Sequence, residues 1–305
     1  MDNKNIAFIG VALGWGAQQV QTEFGPEIIQ STHFINKLIN SNPSIHWQAT
    51  IYPEKISGNT DPIIRPADLT YDQRLELVVQ TTQRLAKELQ IALSNDCFPI
   101  IVGGDHSIAI GTWSAMTVAL EAKKKFGLIW FDAHMDSHTP QTTPSMAIHG
   151  MPVAALLGHG ESSLVDIQQS GQKIDPKHLV LVGIRSYEDS EAAFLKKLGV
   201  HIFYMKDIQE RGFDTICQEA LAIVKNKTKG FGLSIDLDGF DPQYAPGVGT
   251  PAPDGLHPQD VLSGLSTLIN DTHCKALEIA EFNPTLDRQR KTIHLIEDLI
   301  RLKIK

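Results

Sequence analysis

Residues 128–136 read LIWFDAHMD, in which four apolar residues precede three polar ones at alternate positions. The apolar part is typical of a buried strand, and Asp132, His134 and Asp136 follow directly at its end. On an extended chain, side chains two residues apart point to one side, so these three can converge on one point. The segment predicts a strand that presents metal-binding side chains at its carboxyl end.

Two other apolar runs end in the same way. One leads into GGDHS, residues 103–107, which contributes His106. The other leads into SIDLD, residues 234–238, where Asp236 and Asp238 repeat the spacing of two. One such motif could be a simple strand end or turn, but three of them at strand ends are hard to explain structurally. Together they indicate a site for two cations that activates water.

The rest of the chain alternates apolar runs with helical periodicity, which predicts an α/β fold: three α-β-α layers with a central, mostly parallel sheet. We expect residues 1–305 to form one catalytic domain. The predicted strands are Ile6–Val11, Pro99–Val102, Leu128–Phe131, Leu179–Gly183, His201–Tyr204, Gly232–Ile235 and Ala276–Ala280. The predicted helices are Tyr71–Asn95, Ile108–Lys125, Ser190–Leu198, Phe213–Val224, Pro258–Asn270 and Thr292–Ile304.

Two long irregular segments, 52–70 and 137–151, interrupt this alternation. Long loops in compact domains are usually functional, and the second begins one residue after a predicted metal ligand. Ligands in open α/β sheets bind beyond the carboxyl ends of the strands, where the three polar clusters also fall.

Composition excludes several classes of function. The net charge of −8 and the lack of a basic tract longer than three residues disfavour nucleic-acid binding. No apolar stretch approaches the ~20 residues of a membrane span, and the first residues lack a signal-peptide pattern. The three widely spaced cysteines, Cys97, Cys217 and Cys274, are interpreted as reduced core thiols of a cytoplasmic protein.

The predicted ligand set has two histidines, four aspartates and no sulfur. Oxygen-rich ligands with some imidazole favour Mn²⁺ among transition metals, while Zn²⁺, Co²⁺ and Fe²⁺ remain open. Four carboxylates balance two divalent cations. We therefore expect two Mn²⁺ per chain and a hydrolase.

The chain resembles the arginase (ureohydrolase) family, and it looks most like bacterial arginases. The resemblance runs through most of the chain and is strongest at short motifs. These are residues 9–11, 24–26, 103–107, 132–136, 149–152, 183–186, 234–242, 245–251 and 281–284.

The resemblance implies roles for individual residues. One Mn²⁺ is expected to take His106, Asp132, Asp136 and Asp236, and the other to take His134, Asp132, Asp236 and Asp238. A hydroxide between them would attack the guanidinium carbon, with Asp136 accepting its hydrogen bond. His149 matches the family's proton-shuttle histidine, and Glu281 matches the carboxylate that pairs with the substrate guanidinium.

At the other end of the substrate the chain departs from the family pattern. The family's Gly-Asn before the shuttle histidine is Met146-Ala147 here, and an Asn after the central cluster is His138. Both lost Asn residues belong to recognition of the amino-acid carboxylate. Thr143 and Ser145 remain as carboxylate-binding candidates. Glu188 stands where the family has an Asp for the α-amino group, and Glu191 keeps a nearby acid.

Hydrolysis of L-arginine to L-ornithine and urea is the leading functional hypothesis. Agmatinase, guanidinobutyrase or formiminoglutamase activity with altered substrate recognition is the alternative within the class. A deacetylase of related fold, using one metal, and a non-catalytic homologue are the competing hypotheses from other classes. The resemblance also implies a homo-oligomer, either a trimer or a hexamer.

Overall fold

A single eight-stranded parallel sheet forms the centre of the protein. The computed structural model describes residues 5–54 and 68–304. The strands are β1 (Asn5–Val11), β2 (Ile45–Ile51), β3 (Cys97–Val102), β4 (Gly127–Phe131), β5 (Leu179–Ile184), β6 (His201–Tyr204), β7 (Phe231–Asp236) and β8 (Cys274–Ala280). Their order across the sheet is β2-β1-β3-β8-β7-β4-β5-β6, and every pairing is parallel.

Helices cover both faces of the sheet. They are α1 (Gly25–Gln30), α2 (His33–Ser41), α3 (Tyr71–Ser94), α4 (Ile108–Ala119), α5 (Pro152–Leu156), α6 (Ser162–Val165), α7 (Asp189–Leu198), α8 (Met205–Arg211), α9 (Phe213–Lys225), α10 (Pro258–Ile269) and α11 (Lys291–Lys303). One buried core joins the sheet to α1, α2 and α8 to α11. A second joins its other face to α3 to α7.

The alternation of side chains along each strand explains the two cores. Phe8 of β1 and Ile100 of β3 belong to the first core, whereas Ile9 and Ile101 belong to the second. Successive residues of a strand point to opposite faces, so a strand covered on both sides is apolar at every position. The predicted three-layer α/β fold with a parallel sheet is confirmed.

The prediction that one helix would continue to Lys125 is wrong. The helix α4 ends at Ala119, and the backbone at Glu121 and Lys124 is left-handed, with φ of 47° and 60°. The amide of Lys124 instead donates to the carbonyl of Lys173 at 2.8 Å. This distant contact ends the helix, and helical periodicity within residues 108–125 contains no sign of it.

Other elements were missed because their patterns are weak or short. Strand β2 lies at the edge of the sheet and carries polar residues, so it lacks the continuous apolar run of the central strands. Helices α1, α2, α5, α6 and α8 have nine residues or fewer. Of the predicted irregular segment 52–70, residues 55–67 lie outside the described part. Of the predicted irregular segment 137–151, residues 137–147 contain neither helix nor strand, and a short 3-10 helix covers Ile148–Gly150.

The four central strands β3, β8, β7 and β4 are neighbours, and their carboxyl ends lie side by side. The chain leaves them at residues 103, 281, 237 and 132, where the predicted ligands and Glu281 occur. The parallel sheet therefore gathers residues that are far apart in sequence onto one edge. Among residues 5–54 and 68–304, no helix is long and apolar enough to cross a lipid bilayer.

Candidate metal centre

The six predicted metal ligands meet at this edge of the sheet. Five of them form two groups, His106 with Asp132 and Asp236, and His134 with Asp132 and Asp238, while Asp136 lies against His106 outside both groups. Within each group, one ligand atom per residue lies within 4.8 Å of the others. Because Asp132 belongs to both groups, the two sets of ligands adjoin each other.

The first group is built around the imidazole of His106. Its Nδ1 lies 3.1 Å from Asp132 Oδ2, 3.2 Å from Asp136 Oδ2 and 3.0 Å from Asp236 Oδ2. The ring stacks on Trp130 with centroids 3.9 Å apart, which fixes its plane. Three carboxylate oxygens therefore converge on one nitrogen of a buried ring.

The opposite nitrogen of that ring identifies its tautomer. Ser234 Oγ donates to Glu278 Oε1 at 2.7 Å, so it can accept from His106 Nε2, 2.9 Å away. Nε2 then carries hydrogen, and Nδ1 faces the three carboxylates. Burial alone would lower the pKa of His106, but Asp132, Asp136 and Asp236 raise it well above its usual value, so a proton occupies Nδ1 without metal. A divalent cation among the carboxylates can take the place of that proton. The residues present thus fit a divalent metal ion.

The second group is centred on His134. Its Nδ1 lies 3.4 Å from Asp132 Oδ1 and 3.2 Å from Asp238 Oδ2. Asp132 thus turns one carboxylate oxygen towards each histidine, which is the geometry expected of a bridging ligand. Asp236 differs: its Oδ2 faces His106, and its Oδ1 accepts from the amide of Asp238 at 2.8 Å. A bridging role for Asp236 stays a prediction.

The electrostatics of the set also favour bound cations. Burial, reinforced by neighbouring carboxylates, raises the pKa of Asp136 to about 7 and raises the pKa values of Asp236 and Asp238. Burial alone would lower the pKa of His134, but Asp238 and Asp132 raise it. Four carboxylates sharing a buried site repel one another, and divalent cations relieve that repulsion.

Arg185 holds the loop that carries Asp238, a role that sequence reasoning missed. Its guanidinium donates to the carbonyls of Asp238 at 2.7 Å, Gly239 at 3.1 Å and Ala252 at 2.9 Å. The hydroxyl of Thr250 donates to Asp238 Oδ2 at 3.0 Å. These bonds fix the backbone and carboxylate of Asp238 before any metal binds.

His149 and Glu281, the two predicted catalytic residues outside the metal ligands, contact each other. His149 Nδ1 lies 2.9 Å from Glu281 Oε1, which also accepts from the amide of His106 at 2.8 Å. Burial opposes the charged imidazole, but Glu281, with Asp105 and Asp136, raises the pKa of His149 to about 9. The histidine is therefore protonated at neutral pH in the protein without metal.

Two of the predicted catalytic residues have strained backbone. Asp136 has φ of 48° and Glu281 has φ of 67°, both in the left-handed region. Such conformations cost a non-glycine residue about 1–3 kcal/mol and persist where the surroundings enforce them. Strain at these two positions is consistent with a functional constraint on where their side chains point.

Asp105 links the predicted site to the glycine-rich segment 10–16. Its Oδ2 accepts from the amide of Gly16 at 2.8 Å, and the Gly16 carbonyl accepts from the amides of Ile148 at 2.7 Å and His149 at 3.1 Å. A Cβ on Gly16 would lie 2.4 Å from Asp105 Oδ1, so only glycine fits there. This segment therefore helps to position His149.

The predicted substrate-binding residues fall into two sets. His138 Nε2 lies 2.9 Å from Glu188 Oε2 and 3.4 Å from Glu191 Oε2. Thr143 and Ser145 instead bond within their own loop: Thr143 Oγ1 accepts from the Met146 amide at 3.0 Å, and Ser145 Oγ accepts from the Ala147 amide at 3.2 Å.

Met146 and Ala147, two of the residues that depart from the family pattern, occupy constrained positions. Met146 has φ of 56°, a left-handed conformation that favours glycine. Ala147 is buried and offers only a methyl group. At residue 146 the loop backbone therefore has a conformation that favours glycine, but the residue there is methionine, whose side chain is larger.

Comparison with known proteins agrees with this fold and site. The profile described as "Arginase family" matches residues 4–304. The arginase of Bacillus caldovelox is 34% identical over 289 residues, which cover 95% of this chain and 94% of the relative. A crystal structure of arginase from Bacillus subtilis superposes with a TM-score of 0.87 at 31% identity, covering 99% of this chain and 98% of that one.

A formimidoylglutamase from Bacillus subtilis shares the fold at lower similarity. Its structure superposes with a TM-score of 0.77 at 25% identity, covering 100% of this chain and 87% of that one. The similarity is thus greater to arginases than to this relative with a different named activity. The chain belongs to the arginase family of hydrolases.

Proposed function

We propose that this protein is a manganese-dependent amidinohydrolase that converts L-arginine to L-ornithine and urea. The observation that carries the proposal is the 2.9 Å contact between His149 and Glu281 beside the two metal-ligand groups. It supports His149 as a proton donor and Glu281 as the carboxylate that pairs with a guanidinium, beside the proposed site of water activation. The named arginases among the relatives support the choice of substrate.

The metal ligands are proposed to be His106, Asp132, Asp136 and Asp236 for one Mn²⁺, and His134, Asp132, Asp236 and Asp238 for the other. When bound, two divalent cations make water acidic enough to serve as a nucleophile near neutral pH. Imidazole nitrogen and carboxylate oxygen without sulfur suit Mn²⁺. Asp136 is also proposed to accept a hydrogen bond from the attacking water, since its side chain faces the same space as His106.

Glu281 is proposed to orient the substrate. A guanidinium is planar and positively charged, and it pairs well with a carboxylate. Glu281 is buried and its Oε1 is already held by the His106 amide and by His149. A fixed carboxylate in a buried site can hold the guanidinium carbon in place for attack, which lowers the entropic part of the barrier.

His149 is proposed to donate a proton to the leaving amine. Amines are poor leaving groups unless protonated, and a histidine that is charged near neutral pH can supply the proton. The Glu281 carboxylate keeps His149 in its charged form, as the raised pKa indicates. The bonds from Gly16 to the neighbouring backbone hold the ring at the site.

The amino-acid end of the substrate is proposed to meet His138, Thr143, Ser145, Glu188 and Glu191. Glu188 and Glu191 offer carboxylates for an α-amino group. Ala147 gives no side-chain donor for the α-carboxylate, and this observation favours agmatine, which lacks that carboxylate, as a second candidate substrate.

We also propose that residues 1–305 form one catalytic domain in a cytoplasmic homo-oligomer, a trimer or a hexamer. One sheet with a core on each face supports a single domain. Three buried cysteines, none of them in a disulfide in the described part of the chain, suit a reducing compartment. Sedimentation equilibrium would measure the assembly state directly.

Urea release from a panel of guanidino compounds tests the function. Protein loaded with Mn²⁺ is assayed with L-arginine, agmatine, 4-guanidinobutyrate and formiminoglutamate, the last by formamide release. We expect the highest kcat/KM with L-arginine. If another compound of the panel has the highest kcat/KM, that compound replaces L-arginine as the proposed substrate. If acetyl-lysine is hydrolysed and no compound of the panel is, the proposed reaction class is rejected.

A further inference from the structure

A third cluster of potential metal ligands lies at the rim of the proposed active site. His138, Glu188 and Glu191 each offer one ligand atom, and the three atoms lie within 4.8 Å of one another. His138 follows Asp136 by two residues, and its amide donates to the carbonyl of Gly150, next to His149, at 2.9 Å. We propose that this cluster binds a third divalent cation, Zn²⁺, which inhibits the enzyme.

His138 Nε2 is the nitrogen that faces the two glutamates. It hydrogen-bonds to Glu188 Oε2 at 2.9 Å, and a cation at this point would take the place of the Nε2 hydrogen. The Thr142 hydroxyl lies 3.2 Å from His138 Nδ1 and accepts from the amide of Thr139 at 2.9 Å, so it can accept from Nδ1 in the metal-bound form. Metal-bound histidines have this arrangement, with the other nitrogen donating to a fixed oxygen.

The two glutamates supply one fixed ligand and one mobile ligand. Glu191 is buried, and its carboxylate accepts from the amide of Ser137 at 2.9 Å and the amide of Glu188 at 3.2 Å. The Glu188 side chain is 54% exposed, so it can swing aside to admit an ion. Other contacts hold His138 and Glu191 in place, and the exposed Glu188 side chain completes the site. The site is therefore largely formed before the ion binds.

The measured separations suit zinc. Tetrahedral Zn²⁺ with nitrogen and oxygen ligands at ~2.0–2.2 Å places those ligands ~3.3–3.6 Å apart. His138 Nε2 lies 2.9 Å and 3.4 Å from the two glutamate oxygens, so small shifts accommodate the ion. One imidazole and two carboxylates leave a fourth position for water. The Irving–Williams order places Zn²⁺ above Mn²⁺ at sites of imidazole and carboxylate, so the third site prefers zinc to manganese, as the two ligand groups of the metal centre also would.

The inhibition, though not the binding, rests on the proposed function. The same three residues are proposed to meet the amino-acid end of the substrate. A cation held there removes both carboxylates from the α-amino group and adds positive charge where a cationic substrate must bind. Zn²⁺ at about ten times its dissociation constant is therefore expected to raise KM about tenfold, with kcat unchanged.

Counting both metals tests the site without any assay of activity. Mn²⁺-loaded protein is equilibrated with increasing Zn²⁺, and both metals are measured per chain. We expect the total metal content to rise from two ions to three per chain, whichever of the two metals occupies the main centre. Removing a residue that hydrogen-bonds to a metal ligand usually lowers metal affinity ~10–100-fold. Removing a ligand itself should therefore lower the affinity for Zn²⁺ by ~100-fold or more. His138→Asn and Glu188→Gln should both show this loss, and the second variant alters an exposed side chain and keeps its size.

His273→Asn is the matched control. His273 is also a histidine beside an acid, with Nδ1 3.3 Å from Asp271 Oδ1, but it faces one carboxylate rather than two. This variant should bind the third ion as the unmodified protein does. A total that stays at two ions per chain would overturn the site, and so would binding of the third ion with equal affinity by His138→Asn.

Kinetics with L-arginine then test the inhibition. If the third ion binds but KM is unchanged, the proposed inhibition is wrong, while the proposed binding site stands. If no guanidino compound is hydrolysed, the proposed function fails, while the metal count still decides whether the third site exists.

Discussion

His106 Nε2 lies 2.9 Å from Ser234 Oγ, and this contact determines which nitrogen of the imidazole faces the proposed metal site. Ser234 in turn donates to Glu278, a buried glutamate that also accepts from the Trp113 indole at 3.2 Å. Ser234 thus connects the proposed ligand His106 to Glu278, which is not itself a proposed ligand. Outer partners of this kind orient ligands and raise their basicity.

Ser234→Ala should weaken metal binding without removing any ligand. Losing the contact to His106 is expected to cost ~10–100-fold in metal affinity. Metal content after dialysis against a graded chelator measures the effect. Ser114→Ala is the control, because Ser114 is equally buried but its hydroxyl has no hydrogen-bond partner. Equal affinity in the two variants would show that Ser234 does not support His106.

Asp236→Asn should remove metal as well as activity. The carboxylate faces His106 at 3.0 Å and is expected to bridge both cations, so a neutral amide leaves both bound less tightly. Asp136→Asn keeps the other three ligands of its ion, and we expect a weakened site with reduced rate. Metal analysis of the two purified variants decides this. Full metal and full rate in Asp236→Asn would make the ligand assignment wrong.

His149→Ala should keep its metal and lose rate. The imidazole contacts Glu281 rather than the aspartate groups, so its removal leaves the ligands in place. Losing a general acid typically costs 10²–10⁴-fold, and we expect a fall in kcat of about 10²-fold. Added imidazole should restore part of the rate. Loss of metal from this variant would instead identify His149 as a ligand.

Glu281→Gln should lower the pKa of His149. Burial favours the neutral ring, and Glu281 is the largest opposing influence, so losing its charge should lower the pKa from about 9 by ~1–3 units. NMR titration of the histidine ring in chelator-treated protein measures it, with His149→Asn to assign the signal. Glu278→Gln, a buried glutamate bonded to Ser234 instead, should leave the titration unchanged.

The same pair makes the metal-free fold sensitive to pH. The pKa of His149 is raised on folding, from its ordinary 6.5 to about 9. Its contribution to the free energy of unfolding is therefore complete below pH 6.5 and is lost as pH rises through about 9. The stability difference between the unmodified protein and Glu281→Gln should shrink over that window in urea unfolding. A difference that grows with pH would contradict the pairing.

Met146→Gly combined with Ala147→Asn should improve use of L-arginine. Glycine suits the left-handed backbone at residue 146, and Asn can donate to a substrate carboxylate. A hydrogen bond to a charged group contributes roughly 1.5–3 kcal/mol, about 10- to 150-fold in binding. We expect kcat/KM to rise for L-arginine but not for agmatine. Equal gains for both substrates, or none, would show that these positions do not read the carboxylate.

The sequence by itself predicted the parallel sheet and the six candidate ligands. Both depend on local patterns: an apolar run marks a strand buried on both faces, and polar residues directly after it lie at the strand's carboxyl end. In LIWFDAHMD the strand and three ligands are adjacent in the chain. Local information of this kind does not depend on which strands are neighbours, so the sequence alone was enough to predict the ligands within residues 132–136.

Only the tertiary structure showed how these residues are held. His106 and Ser234 are 128 positions apart, and Ser234 and Glu278 are 44 apart, so no local pattern encodes their contacts. The same holds for Arg185, whose guanidinium binds carbonyls of another loop. Hydrogen bonds of this kind depend on strand order and register, which bring distant segments together. Sequence periodicity fixes the face of each strand, but the three-dimensional fold decides which strands become neighbours.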